Sequence, residues 1–253
     1  GGRGRRPPAA APAPAPAPAP APVETPTPAT PVADDGEDDA GGADDVTDDI
    51  KGGNKVEPGT ILLETGTGGG GTAWDRDGNL YLTVGNNTGN GLLAQTDERT
   101  GRENFDDQRA ASNTNDLRGK ILRIHPEPDG TYTIPDGNLF PKDGSQGRPE
   151  IYVMGTRNAF RFTVDDHNGV VYWGDVGPDG GVTNERGPQS YDEWNQAKEP
   201  GNYGWPYFVA DNKAYADFDF ATNEVGPRFN PDEPVNDSPN NTGSRVLPPA
   251  KKP

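Results

Sequence analysis

The residues with chemical potential are few. His125 and His167 are the only imidazoles in 253 residues, and there is no cysteine. His125 closes a predicted strand, and His167 sits in Asp165-Asp166-His167-Asn168-Gly169, a turn by composition. Neither has a serine or cysteine elbow beside it, so a hydrolytic triad has no support. Lack of cysteine excludes disulfides, thiolate zinc sites and iron–sulfur clusters. Gly66 to Gly71 contains a G-x-G-x-x-G match, but a dinucleotide site needs a strand before it and a helix after it. Here Thr72-Ala73-Trp74-Asp75 and an Asp77-Gly78 turn follow, which rejects that reading. Asp75 to Asn79 opens like a calcium-binding EF-hand loop and then fails. Leu80 stands where glycine is required, and Asn86 where the bidentate glutamate should be; a β-turn is expected. Taken alone, Arg157-Asn158 is a charged loop after a strand, Gly177-Pro178 a turn and Glu193 a surface acid.

The elements that must position these residues are strands. Leu80 to Val84, Lys120 to Ile124, Thr131 to Ile134, Ile151 to Met154, Phe160 to Val164 and Val170 to Trp173 are rich in branched and aromatic residues. Lys120 to Ile124 alternates as a half-buried strand should, and Pro126 to Gly130 is the turn that brings Thr131 to Ile134 back beside it. Ile61-Leu62-Leu63 is a further short apolar run, and no stretch sustains helical periodicity. Asp77-Gly78-Asn79-Leu80-Tyr81 and Asn168-Gly169-Val170-Val171-Tyr172 repeat one pattern. Tyr81 and Tyr172 lie 91 positions apart, about twice the ~40–50 residues of a propeller blade. With short strands at regular spacing, this favours a propeller over a sandwich.

Composition sets the frame. Residues 1–55 are expected to be a disordered tail: a basic start, an Ala-Pro alternation suited to polyproline II, and an acid run from Asp34 to Asp49 without a base. Residues 56–253 are the folded part. Six blades need at least ~250 ordered residues, so an all-β fold of about three to four blades of a six-bladed β-propeller is expected, unable to close alone. The net charge of −17 argues against nucleic acid as a partner. No apolar run reaches membrane-spanning length. The chain begins at Gly1 with no secretory signal peptide, which reads as processing or an incomplete gene model.

Between Gly155 and Pro206 four motifs occur in order: Gly155-Thr156-Arg157-Asn158, Trp173-Gly174-Asp175-Val176-Gly177-Pro178, Tyr191-Asp192-Glu193-Trp194-Asn195 and Gly201-Asn202-Tyr203-Gly204-Trp205-Pro206. Upstream stand Leu117 to Ile124 and Asp136-Gly137-Asn138-Leu139-Phe140-Pro141. In order and spacing this set resembles the glucose/sorbosone dehydrogenase family, nearest to large bacterial members in which the domain is joined to a ThuA-like domain. The resemblance implies a periplasmic or extracellular quinoprotein. It would use pyrroloquinoline quinone and Ca2+ to oxidise an aldose at C1 to a lactone, passing electrons to a soluble acceptor of unknown identity. It implies that Arg157 and Asn158 contact the cofactor, whose carboxylates suit a planar guanidinium. Backbone carbonyls of Gly177 and Pro178 would bind the calcium, a cation that prefers hard oxygen. Glu193 and the backbone of Tyr203 match a second, structural calcium site.

The pattern breaks at the catalytic pair. Where the family carries a histidine base this chain has Thr67, and where it carries the orienting aspartate it has Asn86. A threonine hydroxyl is a poor base near neutral pH, so no catalytic residue is assigned. Two functions remain: a sugar dehydrogenase, or a calcium-stabilised propeller fragment without turnover, serving as a carbohydrate-binding or interaction module of a larger exported protein. Hydrolase or lectin activity on the same architecture has no motif of its own.

Overall fold

The computed structural model describes residues 70–88 and 93–253. The expected tail of residues 1–55, the apolar run Ile61-Leu62-Leu63 and Thr67 lie outside the described residues. All that is described belongs to one unit, Ile50–Pro253. The strands are β1 (Gly71–Trp74), β2 (Leu80–Val84), β3 (Lys120–Pro126), β4 (Tyr132–Thr133), β5 (Ile151–Met154), β6 (Ala159–Val164) and β7 (Val171–Asp175). They are followed by β8 (Glu193–Ala197), β9 (Gly201–Asn202), β10 (Phe208–Val209), β11 (Lys213–Ala214), β12 (Ala216–Asp219) and β13 (Glu224–Arg228). Among the described residues the helical pieces are two three-residue 3-10 turns, Glu103–Phe105 and Asp107–Arg109. The fold is all-β, as expected. No helix among those residues is long and apolar enough to cross a membrane.

One sheet runs β1-β2-β3-β5-β9 with β4 on β3, antiparallel except for the parallel β5–β9 pair. A second, antiparallel sheet runs β6-β7-β8, and two hairpins, β10-β11 and β12-β13, complete the set. The turn into β2 is the expected β-turn: Asp75 Oδ1 accepts the amides of Asp77 and Asn79, and Gly78 takes φ 80°. The return at Asp165 to Gly169 repeats it, with Asp165 Oδ1 accepting the His167 amide. His125 lies inside β3 opposite Thr133, its ring bonded to Asn79, which is a structural role.

The alternation of β3 predicted a half-buried strand, but Lys120, Ile121 and Leu122 are all buried. The reason is its place between β2 and β5, with a core on each face. Ile121 joins Tyr81, Tyr152, Val171, Trp173 and Tyr203 on one side, while Leu122 joins Val84, Ile151, Tyr207, Phe208 and Leu247 on the other. The first core is the seam between the two sheets, where Trp173 and Tyr203 meet edge to face at 4.7 Å. Such face-to-face stacking of small antiparallel sheets is what part of a β-propeller requires. Seven strands, β1 and β8 to β13, have no counterpart among the sequence-predicted segments. In β1, a Cβ on Gly71 would meet the Phe162 ring, and Ala73 packs against the first core with only a methyl, so little apolar signal marks the strand. In β8, Glu193-Trp194-Asn195-Gln196-Ala197 reads as polar, yet it pairs with β7 along its whole length. Its Trp194 lies on the outward face over Gly174 and is 84% exposed; Trp74 is 55% exposed.

Lys120 starts β3 fully buried. Its ammonium donates to the carbonyls of Ala110, Ala111 and Arg118 at 2.8, 2.9 and 2.8 Å, three acceptors for three donors. Burial pushes its pKa down to about 7. The unfolded chain therefore holds a proton that the folded one lacks between about pH 7 and the ordinary lysine value of 10.5, and this group makes stability rise with pH across that window. Lys120→Met orphans three carbonyls and is expected to cost about 3 kcal/mol. Urea unfolding at pH 7 and pH 9 checks both points, with the pH-dependent gain smaller in the variant.

Candidate functional site

Two loops meet at the ends of β5 and β7. Gly155-Thr156-Arg157-Asn158 leaves β5 through Gly155 at φ 72°, where a Cβ would run into Asn202 and the Gly204 amide. Val176-Gly177-Pro178 leaves β7. The two are laced together: Val176 N donates to Asn158 O at 3.0 Å, and Arg157 Nη1 donates to Val176 O at 3.0 Å. Asp175, the last residue of β7, takes the amide of Arg157 on one carboxylate oxygen at 3.2 Å and that of Asn158 on the other at 2.6 Å. The carboxylate thus acts as a clamp that sets where the guanidinium emerges.

The far side of the cleft comes from β8 and the segment after β9. Glu193 is the register partner of Asp175. Its carboxylate accepts from Ala210 N and, at 3.2 Å, from Asn195 Nδ2. Gly177 N donates to Asp192 Oδ1 at 2.8 Å, and the Gly177 backbone runs so close to Tyr191 that a Cβ would strike the Tyr191 carbonyl. Tyr203 N donates to Met154 O at 2.9 Å and its hydroxyl to Gln196 O at 2.6 Å. The resulting cleft, about 250 Å³ counted out to open solvent, has Arg157, Gly177, Pro178, Glu193 and Tyr203 in its wall, along with Asp175, Tyr191 and Trp205. Five of the six sequence-predicted residues therefore share one cleft. Asn158 stands behind it, its buried Oδ1 without a hydrogen-bond partner among the described residues.

The cleft offers a water-sized sphere about 10 Å³ of room, enough for a single such occupant. That is the scale of a small cation and not of a fused-ring cofactor. Among the described residues no group of three or more His, Cys, Asp or Glu side chains is placed to hold a metal. A cation here would draw on main-chain carbonyls and the carboxylates of Asp175 and Glu193, an all-oxygen donor set suited to calcium rather than zinc. Burial raises the Asp175 carboxyl to about 7, helped by the Glu193 charge and opposed by the two amides and Arg157. Burial likewise pushes Glu193 up.

Asp175 and Trp205 lay within quoted motifs, yet sequence reasoning gave them no part in the cleft. A third residue it missed entirely is Asp107, buried on the second 3-10 turn. Its Oδ2 accepts Trp205 Nε1 at 2.6 Å and Asn86 Nδ2 at 2.7 Å. It belongs to no motif, and only the folded chain brings it to the site.

The family model described as Glucose / Sorbosone dehydrogenase matches residues 62–238. The HIPL2 protein of Arabidopsis thaliana is 30% identical over 149 residues, which are 54% of this chain and 18% of that protein. The HIPL1 protein of the same plant is 27% identical over 172 residues, 63% of this chain and 21% of that protein. Among solved structures, the soluble aldose sugar dehydrogenase of Escherichia coli in its apo-form is 22% identical with TM-score 0.40, covering 76% of this chain and 41% of that one. A glucose dehydrogenase is 25% identical with TM-score 0.40, covering 73% and 37%. The chain thus spans about a fifth of these curated relatives and about two fifths of these solved chains.

Two measurements check the geometry. Gly177→Ala must open the contact with Tyr191 and is expected to lose about 1–3 kcal/mol in denaturant unfolding. The Asp175 carboxyl carbon, followed by NMR, is expected to titrate near pH 7. Because the folded value lies above the ordinary 3.8, the stability this group contributes is full below that pH and is lost as pH rises through about 7. Asp175→Asn removes that decline.

Proposed function

Because this chain belongs to the glucose/sorbosone dehydrogenase family, we propose that its cleft is one wall of a site for pyrroloquinoline quinone and Ca2+, serving the oxidation of an aldose at C1. The observation that supports this most is the lacing of Arg157 to Val176, which sets a guanidinium beside the Gly177-Pro178 backbone. The quinone, when bound, accepts the hydride from the sugar. Everything else is the work of this chain. Arg157 offers a fixed planar donor to a cofactor carboxylate. The unpaired Asn158 Oδ1 is an acceptor held in reserve behind it. Carbonyls of Gly177 and Pro178 supply hard oxygens to the calcium at the quinone, and Glu193 with the Tyr203 backbone supplies those of a second, structural calcium. Asp175 keeps the Arg157 and Asn158 amides in place.

Turnover needs a base for the C1 hydroxyl, and at the two positions where the family places the pair this chain has Thr67 and Asn86. We therefore expect cofactor binding without oxidation. Titrating the chain with pyrroloquinoline quinone in the presence of calcium, followed by cofactor absorbance, should saturate. Arg157→Ala should weaken binding by about tenfold or more, the scale of one buried charge-assisted contact. Absence of saturable binding by the parent would defeat the proposal. Dye-linked aldose oxidation with both additions should stay at background; turnover above it would show that another group serves as base.

A further inference from the structure

The acid that the family resemblance places at position 86 is an amide in this chain, yet a carboxylate lies 2.7 Å from that amide, delivered from another loop. We infer that Asp107 is a positioning residue of the cleft, holding the Arg157 loop from both sides through Trp205 and Asn86. This rests on reading the cleft as a cofactor site.

The connections are direct. Asp107 is 2% exposed, and one oxygen receives both the Trp205 indole and the Asn86 side-chain amide. Trp205 N donates in turn to Gly155 O at 3.0 Å, and Asn86 N to Arg157 O at 3.0 Å. The segment from Gly155 to Arg157 is therefore pinned at each end by a residue that Asp107 holds. The carboxylate is itself placed rigidly. Its turn is capped by Asp106, which accepts Gln108 N at 3.1 Å and is gripped by Ser238 Oγ at 2.6 Å and Asn240 Nδ2 at 2.9 Å. At the other end, Lys120 holds the carbonyls of Ala110 and Ala111.

Charge matters as well as shape. Bonds to an ionised acceptor are stronger than bonds to a neutral one. Burial raises the Asp107 carboxyl to about 6, and Arg157 is among the groups that oppose that rise, so the carboxylate carries its charge above that pH. Asp107 lies behind Trp205 and does not line the cleft, so it orients the site rather than touching a substrate. An asparagine at 107 keeps the size and loses the charge. The double variant Asn86→Asp, Asp107→Asn returns the charge to position 86 and keeps an acid–amide pair.

The test compares the parent chain, Asp107→Asn and the double variant by two readouts. In the cofactor-free chain, the Trp205 indole N–H and Arg157 Nε–H resonances are assigned with Trp205→Phe and Arg157→Lys. Asp107→Asn should move both, and the double variant should return the Arg157 resonance to its parent position. With pyrroloquinoline quinone and calcium, Asp107→Asn should bind about 10- to 100-fold more weakly, the usual cost of losing an outer-shell partner, and the double variant should recover. An Arg157 resonance unchanged in folded Asp107→Asn overturns the inference, as does failure of the double variant to restore it. If Asp107→Asn does not fold, the double variant decides: parent-like Arg157 resonance supports the inference, and a displaced one overturns it. If the parent binds no cofactor while the resonances respond as stated, the positioning role stands and the cofactor reading falls.

Discussion

A single buried carboxylate organises the cleft. Asp175 ends β7 and accepts the amides of both Arg157 and Asn158, so the entry to β6 cannot slide relative to the exit from β7. From that constraint the rest follows. The guanidinium reaches the Val176 carbonyl, Gly177 and Pro178 fall beside it, and Glu193 arrives opposite as the register partner of the clamp itself. A carboxylate so desolvated is expensive to ionise. The two amides and the nearby arginine offset part of that cost, and the carboxyl settles near 7 rather than near 4.

The clamp works because both faces of the central sheet are covered. Strand β3 carries Ile121 into the seam with β6-β7-β8 and Leu122 into a second core beneath. The seam fixes one sheet against the other, and the cleft opens at the strand ends where they meet. Lys120 extends the same logic to the loop beyond β2, fastening the turn that carries Asp107 to the start of β3.

How far all this could be read from the sequence depends on how local each signal is. Strands β2, β5 and β7 carry branched and aromatic residues in short runs, and composition alone found them. Strand β1 hid because Gly71 lies under the Phe162 ring, and β8 because the two residues it buries are Asn195 and Ala197, neither branched nor aromatic. Of the residues that the ordered set of motifs singled out, Arg157, Gly177, Pro178, Glu193 and Tyr203 lie in the wall of one cleft and Asn158 does not. Asp107 was not legible. It acts across 21 residues to Asn86 and 98 to Trp205, and no periodicity or spacing reports a contact of that kind.

The four tryptophans divide into two kinds by environment. Trp74 and Trp194 stand in solvent, whereas Trp173 at 1% and Trp205 at 4% exposure lie in the seam and the cleft wall. A dissolved collisional quencher such as iodide reaches the first pair and misses the second. What emission survives comes from one indole in the seam and one in the cleft wall, so the chain carries its own optical gauge of that region without any added label.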